Sequence, residues 1–156
     1  MGAERMKRAQ RGVSLLEMLL VIALIAGISV LAAATLGGGW RGMQLRSNAK
    51  QIAAQLRYTR TLALSTGQPQ RFVIDPQGHR WQAPNNRSGE IPAALGVRFI
   101  GAREVQPTEG EGAIQFFNDG AATGGRIELS DDRAAWRIDV AWMTGEVRLK
   151  RVEATP

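Results

Sequence analysis

The sequence predicts an α+β chain: a long N-terminal helix in two chemically different halves, packed on an antiparallel β-sheet region. Three observations lead there. Val13 to Leu36 is an apolar run broken only by Ser14, Glu17, Ser29 and Thr35. Between Leu45 and Ala63 the apolar residues recur about every 3.6 positions, the period of a helix with one buried stripe. From Arg71 onward the period falls to two and turn residues recur at short spacing, the pattern of hairpin-linked strands.

The 24 residues of the apolar run make roughly 36 Å of helix at ~1.5 Å per residue, against a hydrocarbon core of about 30 Å. The run can span a membrane. Before it stand Arg5, Lys7, Arg8 and Arg11 against one acid, Glu4, so residues 1–12 hold about half of the net charge of +6. Basic residues on one flank predict that this flank stays in the cytoplasm. Two ordinary readings exist: a secretory signal peptide with Ala32 and Ala34 as its cleavage pattern, or a plain single-span anchor. Neither explains Glu17, since an acid inside a span costs up to roughly 2.5–3.5 kcal/mol.

The second half begins after Trp40. Leu45, Ala49, Ile52, Leu56 and Ala63 form its stripe, with Ala53 and Leu64 flanking it, while Arg46, Lys50, Arg57 and Arg60 fall mostly elsewhere as a solvated face. Gly37-Gly38-Gly39 is expected to end or loosen the helix between the halves, and Gly67 with Pro69 ends the second. Strands are expected at Arg71–Asp75, Arg80–Gln82, around Val97 to Ile100, at Ile114–Phe117, Arg126–Leu129, Trp136–Val140 and Val147–Val152. Turns are expected at Pro76-Gln77-Gly78, Asn118-Asp119-Gly120 and Thr144-Gly145. Trp136, Ile138 and Val140 share one face of their strand, and Arg137 and Asp139 the other. Residues 84–95 and 106–112 read as loops by composition.

Gly12 closes the basic leader, Val13 opens the apolar run, and Glu17 is the fifth residue counted from Val13. This arrangement resembles the class III signal of type IV pilins and type II secretion pseudopilins. The resemblance implies cleavage by a prepilin peptidase after Gly12 and N-methylation of Val13. It also implies a role for Glu17: neutralising the terminal amine of a neighbouring subunit when the apolar helices bundle, since a buried charge is tolerated only when paired. The fold implied is pilin-like. Residues 1–12 would be a cleaved cytoplasmic leader, 13–36 the membrane and filament-core helix, 37–66 the amphipathic helix and 67–156 a periplasmic sheet region.

The stretch from Ile114 to Ser130, then Trp136 to Leu149, resembles the C-terminal region of the GspH/FimT family of minor pseudopilins. Phe116, Asp119, Gly120, Gly124, Gly125, Thr144 and Gly145 carry the likeness, and residues 67–110 add little to it. Asp-Gly and Gly-Gly supply the positive φ that tight hairpins require. GspH-type membership implies a minor subunit at or near the tip of a periplasmic pseudopilus that helps export folded proteins across the outer membrane. Its partners would be other minor and major pseudopilins, the prepilin peptidase and the inner-membrane assembly platform. The protein would cross the inner membrane once, N-terminus inside. FimT-type membership implies a type IV pilus subunit, in some cases binding DNA for uptake through a Gly-Arg-x-Arg motif. Here the matching stretch runs from Gly145 to Arg151. Glu146 replaces the first arginine, and Arg148, Lys150 and Arg151 remain as the possible nucleic-acid contacts.

The residue inventory points away from catalysis. There is no cysteine, and the single histidine, His79, falls in a turn; neither a zinc site nor a nucleophile–base pair is expected. Asp131-Asp132 lacks the spaced oxygen ligands of a calcium loop and reads as a β-turn. Gly37-Gly38-Gly39 lacks the lysine of a phosphate loop. No catalytic residue, metal or cofactor is expected. Trp142 and Met143, at the tip of the last hairpin, are candidates for contact with a neighbour.

Overall fold

The computed structural model describes residues 14–101 and 110–153, the side chains of 33–38 excepted. Its secondary structure opens with helix α1 (Leu15–Thr66) and continues through eight strands: β1 (Gln70–Asp75), β2 (Arg80–Ala83), β3 (Arg87–Glu90), β4 (Gly96–Gly101), β5 (Gly112–Phe116), β6 (Gly125–Ser130), β7 (Ala135–Val140) and β8 (Val147–Val152). The chain falls into two compact units that divide between Gly39 and Trp40.

The triglycine does not end the helix as expected: the helical backbone continues through Gly37–Gly39. Each glycine costs roughly 1 kcal/mol relative to alanine, but it removes no backbone hydrogen bond, so long flanking helical segments can carry it. The unit boundary nevertheless falls at these residues. The helix stops at Thr66. There Gly67 adopts φ +67° and donates its N–H to the Ala63 carbonyl at 3.0 Å, the left-handed cap that glycine favours.

In the second unit the helical stripe is the core. Leu45, Ala49, Ile52, Ala53, Leu56 and Ala63 are all fully buried, together with Phe72, Ile74, Ile114, Phe116, Ile127, Leu129 and Ile138 from the strands. Burying each large aliphatic or aromatic side chain contributes about 1.5–3 kcal/mol. Leu64, flanking the stripe, is exposed.

The sheet region consists of two four-stranded antiparallel sheets, ordered β3-β2-β1-β5 and β4-β6-β7-β8. In the second sheet the register pairs Ile138 with Leu149 and Val140 with Val147 on the core side. On the other side it pairs Arg137 with Lys150 and Asp139 with Arg148. The alternation expected for Trp136–Val140 is therefore present.

Strand β3 lies inside the stretch 84–95 that composition marks as a loop, and this corrects that expectation. Its residues are polar and mostly exposed, so no apolar alternation announces it. Pairing with β2 makes it a strand, through a turn in which Asn85 and Asn86 both adopt left-handed φ. The hairpin is tied to the helix. Asn85 Nδ2 donates to Tyr58 Oη at 2.6 Å, and the Arg87 guanidinium stacks 4.1 Å from the Tyr58 ring centre.

The turns read from Asp119-Gly120 and Thr144-Gly145 do more than reverse the chain. Gly120 and Gly145 both have positive φ, +87° and +61°. A Cβ on Gly145 would collide with the Gly120 carbonyl and crowd Arg60. Arg60 Nε donates to that same carbonyl at 3.2 Å. The two turns thus meet each other and the helix at one point, which only a residue without a side chain permits.

Candidate assembly site

Among the described residues most of the exposed large apolar side chains are on α1. From Leu15 to Leu31 its large side chains are solvent-exposed, with Leu15 at 80% and Leu31 at 70%. Leu15–Ala32 is long and apolar enough to cross a membrane. Glu17 sits in the first turn of this helix, exposed, between Leu16 and Met18. Among the described residues it has no ion-pair partner. A carboxylate near a helix N-terminus is favoured by the helix dipole, at ~0.3–1 kcal/mol in water. That gain is small against the cost of taking a carboxylate out of water unpaired. Gly12 and Val13 lie outside the described residues.

Two further exposed apolar residues, Trp40 and Met43, stand on α1 at the start of the second unit, 66% and 65% exposed. They lie about half a turn of azimuth from the buried Leu45–Ala49–Ile52 stripe. Helical period does not single them out, because it marks which residues are buried and not which exposed ones meet a partner. Trp142 and Met143, at the last hairpin, are 67% and 68% exposed.

The three possible nucleic-acid residues are not brought together. Arg148 and Lys150 project from the outer face of the second sheet, whereas Arg151 pairs across from Trp136 on the opposite face. Arg148 is also occupied: its Nη2 donates to Glu146 Oε2 at 2.7 Å. The hydrogen bond from Arg148 holds the Glu146 carboxyl below its ordinary range, and the same bond raises Arg148. Glu146, which replaces the motif arginine, therefore neutralises the next basic residue as well. A phosphate backbone needs several cations on one continuous surface, and this strand divides them between two.

The outer face carries a charge pattern that no local motif announces. Glu128 is buried, with its two oxygens taken by Arg98 at 2.7 Å and Arg137 at 3.3 Å. One row further, Arg126 pairs with Asp139 at 2.6 Å. These residues come from three strands, and only the register places them side by side. Asp131 is a turn residue, as expected: its Oδ1 accepts the N–H groups of Arg133 and Ala134. His79 is in the β1–β2 turn, with φ +49°.

The family model described as "Type II transport protein GspH" matches residues 48–145. A curated relative, the type II secretion system protein H of Xanthomonas campestris pv. campestris, is 66% identical over 147 residues, 94% of this chain and 87% of its own length. Two solved structures share the fold. The minor pseudopilin EpsH of the Vibrio cholerae type 2 secretion system matches with a TM-score of 0.56 at 16% identity, over 69% of this chain and 96% of that one. The type IV minor pilin FimU of Pseudomonas aeruginosa matches with a TM-score of 0.54 at 14% identity, over 70% and 90%.

Proposed function

We propose a function from one premise: the chain belongs to the GspH family of type II transport proteins. It is a minor pseudopilin of type II secretion. The observation that carries this is the 66% identity across nearly the whole chain to a type II secretion system protein H. The pilus subunit matches in fold alone. Membership of a pseudopilin family implies that the chain works against other pseudopilins.

The finer reading is as follows. The precursor enters the inner membrane with its N-terminus in the cytoplasm and its sheet region in the periplasm. Prepilin peptidase cuts after Gly12, and the new terminus at Val13 is N-methylated. The apolar half of α1 stores the subunit in the membrane and then moves into the filament bundle. There Glu17 neutralises the amine of a neighbouring subunit. The subunit sits at or near the tip, with the inner-membrane platform as its assembly machinery. Its work is assembly rather than catalysis. What supports this reading is the exposed apolar helix with one acid in its first turn, and a sheet unit whose core is complete without that helical segment.

Glu17→Val tests the charge-pairing role. The variant is expected to insert into the membrane normally and to lose co-purification with the other minor subunits. Undiminished co-purification would show that no amine depends on Glu17.

A further inference from the structure

Strand β8 is the edge of its sheet, and its backbone orientation follows from one hydrogen bond. Ala141 N donates to Glu146 O at 3.0 Å, just beyond the last β7–β8 pair. Antiparallel pairs alternate between bonded and unbonded positions. Glu146, Arg148, Lys150 and Val152 therefore turn their backbone groups toward β7, and Val147, Leu149 and Arg151 turn theirs outward. An independent contact agrees: Arg57 Nη2 from α1 reaches the outward carbonyl of Val147 at 3.1 Å. The outward N–H and C=O groups of Leu149 and Arg151 have no partner among the described residues.

The charged side chains within β8 are all basic, with Glu146 just before the strand and Glu153 just after it. Arg148, Lys150 and Arg151 fall within four residues. Among the described residues only Arg148 is paired with an acid, Glu146. Lys150 stands opposite Arg137 on the outer face. On the inner face Arg151 borders a cleft of about 230 Å³ with Trp136 as a wall and Arg46 stacked 6.0 Å from the ring centre. Gly42, Leu45 and Ala134 complete the lining, which contains no acid. Like charges set this close in register repel one another unless something supplies the opposite charge.

We infer that the outward edge of β8 receives an extended acidic segment of a neighbouring pseudopilin subunit, added as a further strand. This deepens the proposed function and rests on it. Main-chain bonds to Leu149 and Arg151 would supply the docking. Alternate side chains of the incoming strand would point to the two faces, one set toward Lys150 and the other toward Arg151, Arg46 and the cleft. The same charges exclude the competitor every edge strand invites. A second copy of β8 would set three cations against three, so the edge is closed to self-pairing and open to acids.

Residue-resolved hydrogen exchange on the full chain in detergent tests this, alone and after co-purification with its pseudopilin partners. In the isolated chain the Leu149 and Arg151 amides should exchange fast while those of Arg148 and Lys150 are protected. In the assembly Leu149 and Arg151 should slow at least tenfold, and the double change Lys150→Glu with Arg151→Glu should abolish that slowing with the thermal transition retained. An assembly that forms while both outward amides stay fast overturns the inference and leaves the secretion reading standing. Failure of the wild-type chain to assemble with any pseudopilin overturns both. Concentration-dependent protection in the isolated chain would mean self-pairing, and protection by a DNA oligonucleotide in place of subunits would mean a nucleic-acid edge; either result contradicts it.

Discussion

Gly145 sits where two turns and a helix meet, at φ +61° and against the Gly120 carbonyl. Strain at such a position and the collision of a Cβ together cost about 1–3 kcal/mol. Gly145→Ala should therefore lower the thermal midpoint by several degrees in a scan of the purified full chain, and an unchanged midpoint would deny the close approach. Two carboxylates, Asp75 largely covered and Glu146 half exposed, add a pH dependence. Asp75 is held below its ordinary range first by the Gly78 N–H and then by Arg80, and Glu146 by Arg148. Both are depressed, so their contribution is present above the ordinary carboxylate range and is lost as pH falls through that range toward the folded values. Asp75→Asn should lower the midpoint at neutral pH, and the difference from wild type should shrink on acidification. A difference that grew on acidification would reverse the assignment.

At the scale of elements, the amphipathic half of α1 was readable because burial and period coincide: every residue of the predicted stripe is fully buried. Leu56→Ala is expected to cost about 2–5 kcal/mol of stability by denaturant titration, and a loss below 1 kcal/mol would contradict the packing described. The strands with alternating apolar residues were readable for the same reason. Strand β3 was not, because Arg87–Glu90 has no apolar face and exists through its pairing with β2. The Arg98–Glu128–Arg137 contacts were not readable either, since three strands must first be set in register. The helix running through Gly37–Gly39 marks the limit of composition: glycine lowers helical preference locally, and the flanking segments decide. Of the candidate site, Glu17 stood out because its spacing from Gly12 is a sequence property. Trp40, Met43 and the outward edge of β8 did not, because exposure and edge position belong to the folded chain.

At the scale of the whole molecule, one half of the helix exposes apolar residues throughout its described length, while the sheet unit encloses its own core. A chain built this way has an apolar surface of the kind that meets a membrane or another protein. In the proposed function the membrane and a bundle of like helices cover it in turn. The most direct measurement is the amount of exoprotein released into the medium by a strain lacking this gene, with and without the wild-type gene restored. The account predicts that release collapses in the deletion and returns on complementation. Normal release from the deletion strain, with twitching or DNA uptake lost instead, would contradict it.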